Sequence, residues 1–294
     1  MTLEQLRIFV AVAERQHVTA AARALAMTQS AASAAIAALE ERHDVRLFDR
    51  VGRRIELTDS GRLFLDEARA VLARAAAAER ALDDLGSLRR GRLRLVASQT
   101  TAAYWLPPVL AAFHDRHPGV AVEVAIGNTR RAADLVLAGE ADFGVVEGVV
   151  DDPALVVRPL GRDTLVVVQA TPHRGGPVDG AWLRAARWVT REPGSGTRSA
   201  FDAALGRLGL APDDLTVALV LPSNEAVRTA VEAGAGVAAL SSLVVGPALA
   251  AGTLHRLPLD LGPRPFFGLG HRERYRSRAC DALLALIAER EGGG

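Results

Sequence analysis

Apolar positions in the first 90 residues recur at helical spacing. Leu3, Leu6, Ile8, Phe9 and Val12 share one face of an opening helix. Thr19 has the chemistry of an N-cap for a short second helix over residues 20–26. A third helix opens at 28–30 and continues through Ile36, Leu39 and Glu40. The period then changes. Residues 45–58, VRLFDRVGRRIELT, set β-branched and aromatic side chains around Gly52 and predict a small hairpin, or wing. Helical periodicity returns over 58–87, with Thr58 or Asp59 as cap. Here Phe64, Ala68, Val71, Ala75, Ala78, Leu82 and Leu85 are spaced alternately by four and three, with Arg69, Arg74 and Arg80 around them. That is a coiled-coil seam; it favours a partner helix over the alternative, a helix packed on its own domain.

After Arg89, Arg90 and Gly91 the pattern becomes strand alternating with helix. Strands are expected at 92–97, 120–126 and 142–147, with helices over 102–117 and 131–138 between them. A second set follows: strands at 164–169, 187–192, 216–221 and 237–242, with helices from Thr197 and Asn224. This predicts a mainly parallel sheet, given twice. The runs LVLAGEADFGVVEG (135–148) and AVEAGAGVAALSS (230–242) both read helix, Ala-Gly, short apolar strand, so the lobes resemble each other. A ligand is then expected between the lobes, at the strand C-termini. The last helix, Arg278–Arg290, is expected to return to the first lobe.

Composition narrows the chemistry. All 35 basic residues are arginine, and lysine is absent. This excludes a Walker A phosphate loop, a pyridoxal phosphate Schiff base and a protein-kinase ATP site, each of which needs a Lys amine. With 34 acidic residues the net charge is only +1, so any nucleic-acid surface must be local. Hydrophobic residues at 49% suffice for buried cores. Cys280 is the single cysteine, which rules out an internal disulfide and a thiolate metal cluster. His114, His117 and His173 lack metal-ligand spacing, so no metal and no cofactor are expected. The N-terminal stretch, interrupted by Glu4, Arg7, Glu14 and Arg15, does not read as a secretory signal, and no apolar run nears a membrane span. A cytoplasmic location is the expectation.

Within Thr19–Arg42 the pattern is helix, turn near Met27, helix. The second of these begins Thr28-Gln29-Ser30-Ala31, with Ser33 one turn on, and alanines keep it slim. Short polar groups at the start of a recognition helix suit the major groove: Gln can bridge adenine N6/N7, and Ser and Thr can reach bases or phosphates. Arg42, Arg46, Arg50, Arg53 and Arg54 crowd the wing against only Asp44 and Asp49. A tight turn at Gly52 would present Arg53 and Arg54 to a DNA backbone or minor groove.

The run TAAARALAMTQSAASAAIAALEERHDVRLFDRVGRRIELTDSG resembles the N-terminal domain of the LysR-type transcriptional regulators. The residues that carry the likeness are Thr28-Gln29-Ser30-Ala31, Leu39-Glu40, Leu47-Phe48-Asp49-Arg50, Leu57-Thr58 and Gly61. The resemblance covers the whole chain. It implies an all-α winged helix-turn-helix domain (1–58), a linker and dimerisation helix (59–90), and an α/β effector domain of two similar lobes (91–294) like the periplasmic binding proteins. Lobe I would take about 91–162 and 267–294, lobe II about 163–266. It also implies antiparallel pairing of linker helices, a homodimer or homotetramer, an imperfect palindromic operator and contact with RNA polymerase. DNA-binding positions would be Thr19, Thr28, Gln29, Ser30, Ala31, Ser33, Arg50, Arg53, Arg54 and Thr58. The chain departs from the family pattern at Ser30, where Pro is usual, at Ala34 and Ala35, where longer polar residues are frequent, and at Asp44, where Gly is usual. The last would loosen the approach to the wing.

Two polar turns mark the α/β part. Ser98-Gln99-Thr100-Thr101 follows the first strand and opens a helix; Arg191-Glu192-Pro193-Gly194-Ser195-Gly196-Thr197-Arg198 does the same in the second lobe. Each sets N–H groups and hydroxyls at a positive helix end, and Arg191 and Arg198 can fork onto an oxyanion. Asn128-Thr129, Glu147 and Ser223-Asn224 also fall at strand ends facing the expected cleft, where capping or surface roles are equally open; Glu147 would accept from a ligand donor or pair with an arginine. The two long turns resemble those of sulfite-sensing and carbon-fixation regulators, which implies a small anionic effector such as sulfite, or a phosphorylated or carboxylated metabolite. The expected placement bridges Thr100/Thr101 and Ser195–Thr197 and closes the lobes. An enzyme is disfavoured, because Gly194-Ser195-Gly196 lacks the spacing of a nucleophile elbow. The rival reading is a solute-binding transport protein, which would have no use for residues 1–90.

Overall fold

The computed structural model describes residues 1–51, 54–85 and 91–292, which form two compact units, Met1–Leu82 and Asp83–Gly294. In the first, α1 (Leu3–Arg15) starts with a capping box: Thr2 accepts from the Gln5 N–H, and the Gln5 side chain accepts from the Thr2 N–H. Next come α2 (Val18–Ala24) and α3 (Gln29–His43), then the hairpin β1 (Phe48–Val51) and β2 (Arg54–Leu57), paired antiparallel with Phe48 opposite Leu57. Leu6, Phe9, Val12, Ala21, Ala32, Ile36 and Leu39 build the core. The opening turns of α4 (Asp59–Leu85) close it with Phe64 and Ala68. The expected seam therefore divides. Its first two residues face their own core, while Val71 and Leu82 are exposed, at 41% and 69%.

The second unit starts with β3 (Gly91–Ser98); successive side chains point to opposite faces, so its unbroken run Leu95-Val96-Ala97 is buried on both, while Arg92 is exposed. Leu93, Leu95 and Ala97 pack under α5 (Leu106–Arg116); Val96, on the other face, meets α6 (Thr129–Ala138). Parallel neighbours are β4 (Val120–Gly127) and β5 (Phe143–Glu147). Then β6 (Leu155–Gln169) runs as one strand of 15 residues. The other lobe is built from α7 (Gly180–Ala185), β7 (Arg187–Arg191), α8 (Gly196–Arg207), β8 (Thr216–Leu221), α9 (Asn224–Glu232), β9 (Ala238–Ser241), α10 (Ser242–Ala251) and β10 (His255–Arg256). Finally β11 (Pro263–His271) crosses back, and α11 (Arg278–Gly292) packs Ala279, Leu283, Leu286 and Ile287 into the core of β3 and α5.

The expectation of mainly parallel sheets needs correction. β3, β4 and β5 are parallel, as are β7 and β8, but β11 pairs antiparallel with both β5 and β6, and β9 and β10 pair antiparallel with β6. Two long antiparallel strands thus run through both lobes. Residues 162/163 and 266/267, where the lobes were expected to divide, fall inside β6 and β11.

Candidate functional site

In the first unit the second and third helices meet through a short turn at Leu25–Thr28. Thr28 is the N-cap of α3 and accepts from the Ala31 N–H at 3.2 Å. Gln29, Ser30 and Ala31 are exposed, Ser33 is half-buried, and Gln29 Nε2 donates to Ser33 Oγ at 3.1 Å. The first turn of α3 therefore offers its polar atoms to solvent while Ala32 and Ile36 hold its other face in the core. Thr19 does not cap α2. His17 does, its Nδ1 accepting from the Ala20 N–H at 3.3 Å, and Thr19 lies half-buried in the first turn.

The wing is anchored by a residue the sequence reading used only as a pattern match. Glu40 Oε1, near the end of α3, accepts the N–H groups of Leu47 at 2.7 Å and Phe48 at 3.2 Å. Asp44 terminates α3 in the left-handed region (φ 49°), so the bend usually made by Gly is kept rather than loosened; Asp is among the few residues that tolerate it. Thr58 has its hydroxyl committed at the base of the wing: it donates to Arg46 O at 2.7 Å and accepts from the Gly61 N–H at 2.9 Å. Arg50 is exposed on β1 and Arg54 begins β2, whereas Arg53 and Gly52 lie outside the described residues.

In the second unit the two polar turns are joined through Asn224, a position for which the sequence leaves capping or surface roles equally open. Asn224 opens α9 from an N-cap at Ser223. Its N–H donates to Gln99 Oε1 at 3.0 Å, its Nδ2 to Thr100 Oγ1 at 3.0 Å, and its Oδ1 accepts from Arg191 Nη1 at 2.5 Å. Gln99 Nε2 adds a bond to Pro222 O at 3.0 Å. Asn128 divides its amide: Oδ1 caps α6 on the Arg131 N–H at 2.9 Å, and Nδ2 donates to Glu192 Oε1 at 3.2 Å. Ser98, Thr100, Thr101, Thr129, Glu147, Arg191, Ser195 and Thr197 are all buried.

Several expected ligand groups have internal partners. The Thr101 hydroxyl bonds Val145 O at 2.9 Å, and that of Thr129 bonds Glu147 O at 2.6 Å. The helix after β3 opens without a side-chain cap, as a π turn over Thr101–Trp105; the Thr100 hydroxyl accepts from Asn224 Nδ2 and that of Thr101 donates to Val145 O. Arg198 spans Asp202, with Nε–Oδ1 at 3.2 Å, and Thr190 Oγ1 at 3.1 Å. Burial raises the Asp202 carboxyl above its ordinary range, and Arg198 opposes that shift. Ser195 caps α8, and Gly194 (φ 88°) makes the turn before it. The first-turn N–H groups of Gly196 and Thr197 have no partner inside a helix.

Against Thr197 and Glu147 lies a buried charge cluster with no local sequence signal. Arg264, on β11, donates through Nε to Asp163 Oδ2 at 3.1 Å and through Nη1 to Thr197 Oγ1 at 3.0 Å; its Nη1 stands 3.5 Å from Glu147 Oε1. Of the two pairings open to Glu147, an arginine is thus present. A cavity of about 350 Å³ lies beside it, lined by Val149, Ala203, Arg207, Leu261 and Phe267 among others, and it shares no residue with the predicted effector set.

Among the described residues no His, Cys, Asp and Glu grouping could hold a metal ion, and no helix is long and apolar enough to cross a membrane. Cys280 is buried, and burial pushes its thiol up to about 12. The thiolate, not the thiol, is the nucleophile. Native protein at pH 8 is therefore expected to leave an aromatic disulfide reagent unreacted over minutes, and to react fully in 6 M guanidinium; rapid reaction of the native form would contradict the burial.

The chain matches two family descriptions: "Bacterial regulatory helix-turn-helix protein, lysR family" over residues 3–62, and "LysR substrate binding domain" over residues 86–292. The uncharacterized HTH-type transcriptional regulator YeiE of Escherichia coli K12 is 36% identical over 288 residues, 97% of this chain and 96% of its own. A probable RuBisCO transcriptional regulator of Trichormus variabilis is 32% identical over 290 residues, 96% of this chain and 86% of its own. Among solved structures, full-length CbnR complexed with its target DNA is similar at 25% identity and a TM-score of 0.64, over 100% of this chain and 99% of that one.

Proposed function

Since the chain belongs to the LysR family of DNA-binding transcriptional regulators with an effector-binding domain, we propose that it reads an imperfect palindrome as a homodimer or homotetramer under the control of a small anion held between the lobes. It acts in the cytoplasm, engages RNA polymerase and catalyses no reaction. Thr28, Gln29, Ser30, Ala31 and Ser33 face the major groove, Arg50, Arg53 and Arg54 face phosphates, and Thr19 and Thr58 brace them.

The observation that carries the effector reading is the meeting at Arg191. A nearly dry guanidinium stands where Asn224, bonded to the first lobe, and the Asn128–Glu192 contact converge. Arg can fork onto carboxylate, sulfite or phosphate oxygens, and the loose N–H groups of Gly196 and Thr197 suit the same charge. The effector is a small oxyanion or a phosphorylated or carboxylated metabolite. Self-association has support in two apolar edge strands: Val124 and Ile126 on β4 and Val217, Leu219 and Val220 on β8 are exposed.

A gel-shift titration on the DNA upstream of the protein's own gene tests the reading. Gln29→Ala should relax preference at one base pair, at a discrimination cost of about 1–3 kcal/mol. Arg53→Ala should weaken binding to every sequence alike and lower the salt slope by about 1. Equal salt slopes for Arg53→Ala and parent, or mobility indifferent to sulfite, phosphate and carboxylates, would sink the corresponding assignment.

A further inference from the structure

We propose that Glu192 is the counter-ion of the effector cleft, a tethered carboxylate that an incoming anion must displace from Arg191. The inference rests on the anion reading of the cleft and adds what regulates it.

All three guanidinium nitrogens of Arg191 are engaged within the chain. Nε donates to Glu192 Oε2 at 2.8 Å, Nη2 to Glu192 Oε1 at 3.0 Å, and Nη1 to Asn224 Oδ1 at 2.5 Å. The first two form a fork onto one carboxylate, the strongest arrangement open to Arg. The side chain of Arg191 is 3% exposed and that of Glu192 is 24% exposed. The guanidinium is thus the floor and the carboxylate the lid over it. Adjacent residues on a strand point to opposite faces. Here the chain turns back just after β7, where the Ser195 N–H bonds Glu192 O at 3.2 Å and Gly194 takes φ 88°. That turn is what folds Glu192 over its neighbour.

The arrangement decides what can enter. A buried guanidinium stripped of its partner is costly, so Glu192 leaves only when another group supplies two acceptor oxygens and a negative charge. Carboxylates, sulfite and phosphates meet that demand; halides and neutral polar ligands do not. Displacement also breaks the Asn128–Glu192 bond, which links a strand end of one lobe to the other. The ligand is therefore a competitor for an existing contact rather than the agent that first draws the lobes together.

Calorimetric titration of the full-length protein with sulfite and, separately, inorganic phosphate tests this. Glu192→Gln keeps the shape and removes the charged fork. Hydrogen bonds to charged groups are worth about 1.5–3 kcal/mol, so it should bind at least one probe roughly tenfold to a hundredfold more tightly than the parent. Glu225→Gln removes an equal charge near the cleft, on the residue facing the Tyr104 hydroxyl at 3.4 Å, and should stay within about threefold of the parent. Arg191→Gln should lose binding. Should Glu192→Gln fail to fold, Glu192→Asp, whose shorter carboxylate spoils the fork, should still gain affinity.

If Glu192→Gln matches the parent while Arg191→Gln loses the probe, the inference falls and the anion site stands. An equal gain in Glu225→Gln makes the effect one of net charge and also overturns the inference. If Arg191→Gln binds like the parent, or no variant binds either probe at millimolar concentration, the anion reading itself fails, and this inference with it.

Discussion

Arg264→Ala is expected to remove roughly 3–5 kcal/mol from the stability of the effector-binding unit, the cost of leaving buried charge without its partner. Asp163 and Glu147 are both almost fully buried, and Arg264 is the cation set between them. Glu147 Oε2 already lacks a hydrogen-bond partner, so this carboxylate has no spare neighbour to turn to. Against a typical folding stability of about 5–15 kcal/mol, the loss takes a large share. Arg264→Lys should recover little of it, because a point charge cannot serve Asp163, Glu147 and Thr197 from one rigid plane.

The decisive comparison is a double change. Arg264→Met with Asp163→Asn removes the cation and one carboxylate together, and should be more stable than Arg264→Ala by at least about 1 kcal/mol, since buried ion pairs are often dispensable as pairs but not singly. Urea denaturation read at constant m-value gives both numbers. An unfolding free energy for Arg264→Ala within about 1 kcal/mol of the parent would show that water reaches the cluster.

This cluster also shows where the sequence stops being informative. Arg264 and Asp163 are 101 residues apart, and nothing near Arg264 in PRPFFG marks it as buried. Its partner is decided by the antiparallel register of β11 on β6, which places Arg264 opposite Asp163. β6 is legible in the sequence only in its apolar last part, residues 164–169. The first part, LVVRPLGRD (155–163), carries Arg158, Pro159 and Gly161, and reads as a loop until a second strand lies beside it.

What was legible rested on local signals. Thr28, Asn128, Ser195 and Ser223 do cap helices, because an Asx or hydroxyl side chain satisfies an N–H only a turn away. The same logic failed at Thr100 and Thr101, whose hydroxyls have tertiary partners in Asn224 and Val145. It failed at Thr19 too, where His17 reaches the helix first. Glu192 was quoted as part of a turn and given no role. Only folding brings it over Arg191 and within reach of Asn128.

Gly196→Ala is the second substitution with a large expected effect, and its origin is a backbone approach. A Cβ at Gly196 would stand 1.6 Å from Glu147 O and 2.4 Å from Thr129 Oγ1. Glu147 O is a main-chain atom at the end of β5, so no side-chain rotation relieves the overlap; α8 must back away by well over an ångström. Gly148, across the contact, faces the Gly196 Cα with φ +106° and has no room either. Overpacking of well-fitted sites costs about 1–3 kcal/mol, and one against rigid backbone belongs at or above the top of that range. The shift also carries Ser195 and Thr197 away from Glu147 and Arg264, so anion-dependent changes in DNA mobility should vanish while the DNA-binding head still binds. Gly206 lies in the same helix with nothing within 4 Å of its Cβ position. Gly206→Ala should therefore be neutral or stabilise by up to about 1 kcal/mol, from helix propensity alone. Thermal unfolding of the two alanine variants against the parent separates propensity from packing: equal melting of Gly196→Ala and Gly206→Ala would mean that α8 does not sit tightly on the end of β5.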